Sequence, residues 1–544
     1  MFSTLSFAHH SIHRGLRCIA SIIGCLAVFG STGIWAQPGQ PDTATYGPYP
    51  GLPYGLFPSI TQQQFRMHDA IVLADDRVVA GGTCVAVGAS LPGKRFCLAV
   101  WGPSGTGVAL YVHSTSVNRV SDAAGGAIAM QPDGKIVVAA PCIFSASGSV
   151  NQFCTVRFNA DFTPDTGFAT GFFNVSPSPS TTGDSYANAI AIQPDGKIVV
   201  AGQCNGTSGT WFCAARLLPN GNPDSAFGGA TSLRAFAGVN STSSFDRVKR
   251  IALSPDGKIY LGGDCKQDAS SLVNACVARL NADGTIDQPL SGNTPKPLVL
   301  PQMSGGSTSD GVFDMVVQAN GEFVFAGACK NASSTTLVPC ALRLAAPDAI
   351  QFYSGTQYLG AKASTGTYIL REPAADGAFL IQRILMQPDG KMLALLKDQA
   401  SNSLHRVRRY NEDGSRDANW AEPAFDFNAV ADGASFATGV ALGQQSSGKV
   451  MAMGFTGGAT SGAGQARVIR FQNRTHPGQN CSADIDGDGK VLPTTDGLLL
   501  ARASVGMTGN AVITGAIGAG ALRTTWPQIR DYLVTQCGMT TVVP

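Results

Sequence analysis

The sequence predicts an all-β protein, a seven-bladed β-propeller of four-stranded blades, followed by a small α-helical calcium-loop domain. Three observations predict it. The string AIAIQPDGKIVVAGQC (189–204) has six further copies along the chain. Those copies lie roughly 60 residues apart, a period that marks an array of like units. Beyond residue 480 the composition changes to an aspartate-glycine loop that leads into an apolar helical run.

The chain opens with Arg14 and Arg17, an apolar run from Cys18 to Gly30, and small residues leading to Ala36. Residues 1–36 read as a cleavable secretory signal. The rival reading is a lipoprotein box at Ile22-Ile23-Gly24-Cys25, which would acylate Cys25 and anchor the protein to a membrane. No other stretch approaches the roughly 20 apolar residues that span a bilayer. Of 38 basic residues two leave with the signal, against 36 acidic ones. A chain so balanced has no general attraction for polyanions, so nucleic acid is not an expected partner. The expected product is a monomer that is secreted, periplasmic or held at the cell surface.

Residues 37–60 are dense in Pro, Gly and Tyr and read as extended. The propeller proper, 37–472, follows from the repeated string. In it Ala189–Gln193 and Lys197–Gln203 are apolar and β-branched, and Pro194-Asp195-Gly196 supplies a fixed φ, a self-bonding side chain and tolerance of φ > 0. That is a β-hairpin. Its copies begin at 69, 127, 250, 314, 383 and 441. A second hairpin follows in each, as in WFCAARLL (211–218), a turn at Pro219-Asn220-Gly221, and an extended stretch toward Phe236. Four strands per unit and seven units make a closed ring that exposes no long sheet edge. The seventh repeat offers only three strands before Phe471, so residues 42–58 are expected to supply its fourth.

The pattern of apolar strand, QPDGKIVVAG, gap and ARxNADGxxD resembles the bacterial delta-60 repeat, over roughly residues 65–472. The resemblance implies a propeller-like secreted module and carries no particular activity.

Cys18 and Cys25 leave with the signal, and the 12 remaining cysteines fall into neighbouring pairs: Cys84 with Cys97, Cys142 with Cys154, Cys204 with Cys213, Cys265 with Cys276, Cys329 with Cys340, and Cys481 with Cys537. An even count after a secretory signal implies disulfides. Each of the first five would clasp facing antiparallel strands at the base of a loop. The sixth repeat has Asp398 and Arg406 at these positions, which predicts a cross-strand ion pair, and the seventh has Thr456 and Arg467. Arg157, Arg216, Arg279, Arg343, Arg409 and Arg470 recur three residues after the second cysteine position. A ring of ligand-binding arginines is one reading, but recurrence beside turn aspartates favours structural pairs.

Tight PDG and ADG turns form one face. The second-to-third loops, Val85–Phe96, Ile143–Phe153, Asn205–Phe212, Lys266–Ala275 and Lys330–Pro339, differ between repeats and lie on the other, where a protein or glycan ligand is expected.

After a polar linker at 473–480, the domain at 481–540 opens with Asp484-Ile485-Asp486-Gly487-Asp488-Gly489-Lys490. Carboxylates on alternate residues converge on a hard cation, a glycine allows the bend, and Lys490 gives its carbonyl. Calcium is therefore the expected cofactor. The pattern departs from the EF-hand at position 12, where Thr495 stands one residue before Asp496. The loop resembles the first calcium loop of dockerin modules, although Val505–Pro544 holds no second acidic loop. A second helix near Trp526–Thr535 is expected to pack back on the first.

After the signal, His68, His113, His405 and His476 remain, none at metal-site spacing, and no HExxH, GxSxG or P-loop occurs. A secreted, non-enzymatic binding or interaction protein is therefore the leading expectation. The alternative is an extracellular polysaccharide-active enzyme, a glycosidase or lyase, with its site at the channel mouth.

Overall fold

A computed structural model describes residues 65–471 and 484–536, apart from 86–93, 106–107, 114–118, 121–124, 144–149, 170–171, 174–183, 207–208, 229–232, 236–243, 267–272, 288–297, 300–309, 319–321, 331–336, 345–367, 372–377, 388, 402, 423, 428–433, 459–464 and 489. The expected signal, the box at Cys25, the strand at 42–58 and the Cys481–Cys537 bridge lie outside the described residues. The chain divides into two compact units, one of them Pro38–Arg474.

This unit is all-β, and its strands form seven sheets, each drawn from one repeat. The expected strand pairing is present in all seven repeats, and the expected turn in those whose turn residues are described. Asp195 accepts from Lys197 N (3.1 Å), and Gly196, at φ 81°, closes the turn onto Gln193 O (2.8 Å). The first repeat has Asp76 at φ 67° there, a left-handed conformation that aspartate tolerates. Its carboxylate binds Ser446 N and Ser446 Oγ of the last repeat.

Second strands such as Ile136–Ile143 are buried along their whole length because neighbouring sheets cover both faces. Each apolar cluster joins consecutive sheets: Val137 and Ala139 pack with Ile198 and Val200, and Val199 with Ile259 and Leu261. The last sheet returns to the first, with Met451, Met453 and Val468 against Phe65, Met67 and Val78. The first strands trace the same cycle, and Ala434–Gln444 abuts Phe65–Val72.

Three sheets depart from four strands. In the second, Arg119–Val120 and Ala127–Met130 are two pieces of one broken strand on the same partner. The third gains Ser244–Phe245 in parallel pairing. The seventh has three strands among the described residues.

A β-bulge interrupts the first strand of six sheets, between Met67/Asp69, Ala187/Ala189, Val248/Arg250, Val312/Asp314, Ile381/Arg383 and Gly439/Ala441. A bulge inserts one residue and re-aims the side chain beside it. It also pushes the backbone toward the second strand: a Cβ on Gly202 would meet Tyr186 O at 1.8 Å, and one on Gly327 would meet Gly311 O at 1.8 Å. The glycine two residues before the cysteine is therefore dictated by the bulge opposite it.

In the other unit, the described residues hold a helix at Asp496–Ser504, a short one at Asn510–Ile513 and one at Trp526–Asp531. As expected, the helices pack together, through Leu499, Ala503, Val512, Ile529 and Leu533, with Ile485 from the loop. No helix among the described residues is long and apolar enough to cross a membrane.

Candidate functional site

Charge that recurs in six of the seven repeats is bracing. Arg157 Nε binds Asp165 (2.8 Å), its Nη1 binds Gln131 (2.9 Å) and reaches Pro219 O of the next repeat, and its guanidinium lies 4.5 Å from the Phe168 ring centroid. Arg216 repeats this with Asp224 (2.8 Å), Gln193 (3.0 Å) and Ala282 O. Arg279, Arg343 and Arg409 pair with Asp287, Glu322 and Asp417, and Arg470 reaches Pro103 O of the first repeat (3.2 Å). The six arginines are structural braces, paired within their own repeat and, for Arg157, Arg216, Arg343 and Arg470, bonded also to another repeat.

Five disulfides clasp second to third strands, with Cα–Cα distances of 5.9, 5.8, 6.0, 5.8 and 5.9 Å for Cys84–Cys97, Cys142–Cys154, Cys204–Cys213, Cys265–Cys276 and Cys329–Cys340. The cysteines are diagonal rather than directly facing, since Cys204 stands opposite Trp211 and Cys213 opposite Gly202. Such bonds fit an extracellular or periplasmic protein. The expected Asp398–Arg406 ion pair does not form. Asp398 is short and is captured by its own turn through Ala400 N (2.8 Å). Arg406 extends past it to Glu422 O (3.3 Å), over the Phe379 ring. In the seventh repeat Thr456 and Arg467 are fully buried, with Arg467 on Phe427 O (3.3 Å).

Charge that varies between repeats gathers at the centre of the cycle. The residue after the bulge is Asp69, Arg250, Asp314 and Arg383 in the first, fourth, fifth and sixth sheets. It is alanine in the third and seventh (Ala189, Ala441), and Ala127 begins the strand segment of the second. Arg250 Nε binds Asp314 (2.7 Å) while its Nη1 binds Asp69 (3.2 Å). The first and fourth sheets are not neighbours, so this second bond crosses the middle of the cycle. Asp314 also accepts Met315 N (3.0 Å) and Ile384 N (2.8 Å).

Burial alone would lower the Arg250 pKa, but Asp314 and Asp69 outweigh it and hold the guanidinium charged above its ordinary value. Burial raises the Asp69 carboxyl despite both arginines, consistent with its longer bond. Arg383 donates to Val440 O and Gln382 O (2.7 Å), and among the described residues no carboxylate lies within ion-pair distance of it. Burial, then Arg250, push its pKa down to about 10. No sequence motif marked these four residues. The signal was the first letter of each repeated string, the one column that changes from Asp to Ala to Arg.

On the turn face a cavity of about 620 Å³ is walled by the second to fifth repeats. Met130, Ile192, Leu253 and Val317 line it, with Gln131, Gln193 and Gln318. The variable second-to-third loops lie largely outside the described residues.

In the C-terminal unit, Asp484, Asp486 and Asp488 each place a carboxylate oxygen within 4.8 Å of the other two. Asp496 is not in this group. Its Oδ1 accepts Ile485 N (2.6 Å) and Asp486 N (3.2 Å), and its Oδ2 accepts Leu492 N (2.9 Å) and Thr495 Oγ1 (3.0 Å). Burial would raise its pKa, but these donors prevail and it lies below the usual carboxylate range. Lys490 is exposed, with its N–H on Asp488 Oδ1 (2.8 Å). Arg523 clamps the loop from behind through Ile485 O (2.7 Å) and Asp484 O (2.9 Å), and Gly518 N donates to Asp486 Oδ2 (2.6 Å). Sequence reasoning missed these two residues, which come from far along the chain.

A family described as "Domain of unknown function (DUF5122) beta-propeller" matches residues 131–168, 193–227 and 254–288. No curated protein matches the sequence. Among solved structures, the chain is similar to the polysaccharide lyase Uly1, at 10% identity over 81% of this chain and 98% of that one, TM-score 0.41. It is also similar to the periplasmic gluconolactonase PpgL of Pseudomonas aeruginosa, at 12% identity over 66% and 84%, TM-score 0.39. A third similarity is to the GH93 alpha-L-arabinofuranosidase of Fusarium graminearum, at 12% identity over 64% and 92%, TM-score 0.34. Likenesses of this depth bear on no activity.

Proposed function

We propose that the chain is an exported binding protein, a closed seven-bladed propeller of delta-60-type repeats with a calcium-stabilised, dockerin-like C-terminal module. One observation carries the reading: charge shared by six of the seven repeats is spent on bracing, while charge particular to single repeats converges at the centre. A rigid scaffold with one differentiated place suits recognition. The extracellular polysaccharide-active enzyme is a second reading, favoured by Asp69 and Asp314, two carboxylates brought to the same place. Arg250 bonds both, which suits binding better than proton transfer. The test is to screen the secreted protein against glycans while measuring release of reducing ends. Binding without release is expected, and release that disappears in Asp314→Asn would establish the enzyme instead.

For the module, Asp484, Asp486 and Asp488 would hold calcium, with the Lys490 carbonyl, while Asp496 braces the loop. Calcium at a hundredfold excess over its dissociation constant stabilises a folded site by about 2.7 kcal/mol. Calorimetry should show calcium uptake that Asp488→Asn weakens with the fold retained. Asp496→Asn should loosen the module even in EDTA, because one of its two oxygens becomes an NH2 group and two of the four donors lose their acceptor. Equal behaviour of the two variants would refute this division of roles.

A further inference from the structure

Arg250 takes both central carboxylates, which leaves Arg383 with only backbone carbonyls to bond among the described residues. A half-buried guanidinium in that state has its charge incompletely met by the protein, and a carboxylate is the group whose geometry best matches it. The turn-face cavity lies over the strands of Arg250 and Asp314, and the strand of Arg383 packs beside the latter, with Ile384 N on Asp314 (2.8 Å). Its apolar residues Leu253 and Val317 stand three positions after Arg250 and Asp314, about 10 Å along a strand. Met130, 43% exposed, is among the described residues of this unit the one large apolar side chain left exposed, and it faces this cavity.

Gln318 adds a directional feature. Its counterparts Gln131, Gln193 and Gln445 donate Nε2 to carbonyls of the next repeat, at Gly196 O (3.1 Å), Ala282 O (3.0 Å) and Asp76 O (3.0 Å). Gln318 Oε1 accepts from Arg343 Nη2 (3.0 Å), while its Nε2 is buried with no partner among the described residues. An unmet buried donor on a cavity wall is a place for a ligand acceptor.

We propose that the cavity and Arg383 form one site for an amphipathic organic carboxylate. The carboxylate sits on Arg383, the apolar face lies against Met130, Ile192, Leu253 and Val317, and an acceptor of the ligand meets Gln318 Nε2. The inference rests on the binding-protein reading and names its ligand chemistry. An aliphatic acid and a uronate oligosaccharide share that chemistry, so decanoate and trigalacturonate are the probes, with octyl glucoside as the uncharged control.

Isothermal calorimetry on the full secreted protein should show millimolar or tighter binding of at least one acid and none of octyl glucoside. Which acid binds identifies the source. Arg383→Met should weaken that binding about tenfold or more, with Arg383→Lys in between, the range of a lost charge-assisted bond. If Arg383→Met does not fold, Leu253→Trp, which fills the cavity, must abolish binding instead. Failure of both acids to bind, or binding untouched by these substitutions, overturns the proposal. A glycan found by the wider screen that ignores Arg383→Met would overturn it while leaving the binding-protein reading intact.

Discussion

His68 and His405 are buried in the first and sixth sheets, and burial is the main force that lowers their pKa values, to about 3 and about 4. The ordinary value is 6.5. Above it neither the folded nor the unfolded chain holds a proton there. Below it the unfolded chain does and the folded chain does not, so stability falls as pH drops from 6.5 toward 4. By pH 5 each imidazole costs about 2 kcal/mol. Urea melts at pH 7 and pH 5 should therefore lie closer together in His405→Gln than in the parent. An unchanged gap would show that the acid sensitivity arises elsewhere.

Within an element, the bulge and the glycine opposite it act as a pair. Gly202→Ala puts a methyl into Tyr186 O and should cost about 3 kcal/mol or more, whereas Gly196→Ala, at an open turn with φ 81°, should cost about 1–2. Thermal melts of the two variants rank them, and the reverse order would discredit the bulge as the cause. Cys204→Ser with Cys213→Ser should lower stability by about 2–3 kcal/mol, with the loss confined to the third sheet. Here the limit of sequence reading shows itself. PDG turns, cysteine pairs and the aspartate loop are local chemistry, so they are legible as strings. A bulge is a mismatch in register between two strands, and nothing in AGQC alone says that Tyr186 O will press on its glycine. The central cluster is further out of reach. It needs Asp69 and Arg250, 181 residues apart, to meet, which only the folded chain brings about. The Asp398–Arg406 expectation failed for a related reason, since matching positions do not fix how far each side chain reaches.

Across the whole unit, the junction of last and first sheets decides whether the seven act as one body. It is held by Met451, Met453 and Val468 against Phe65 and Val78, and by Gln445 and Ser446 on Asp76. Met453→Ala should cost about 2–4 kcal/mol, and hydrogen exchange should rise in the first and seventh sheets together while the third to fifth stay protected. Exchange rising in the seventh alone would mean the junction carries no coupling.

The arginine braces have one more consequence. Arg157, Arg216, Arg343 and Arg470 end on Pro219 O, Ala282 O, Glu412 O and Pro103 O of another repeat, main-chain oxygens that any residue would offer. This part of the docking does not depend on the neighbour's side chains, unlike the apolar contacts between the sheets. Such units can be duplicated or reordered with this part of each junction unchanged, and the letter after the bulge is free to change alone. The fold thus behaves as an alphabet in which grammar is carried by the backbone and meaning by a single column.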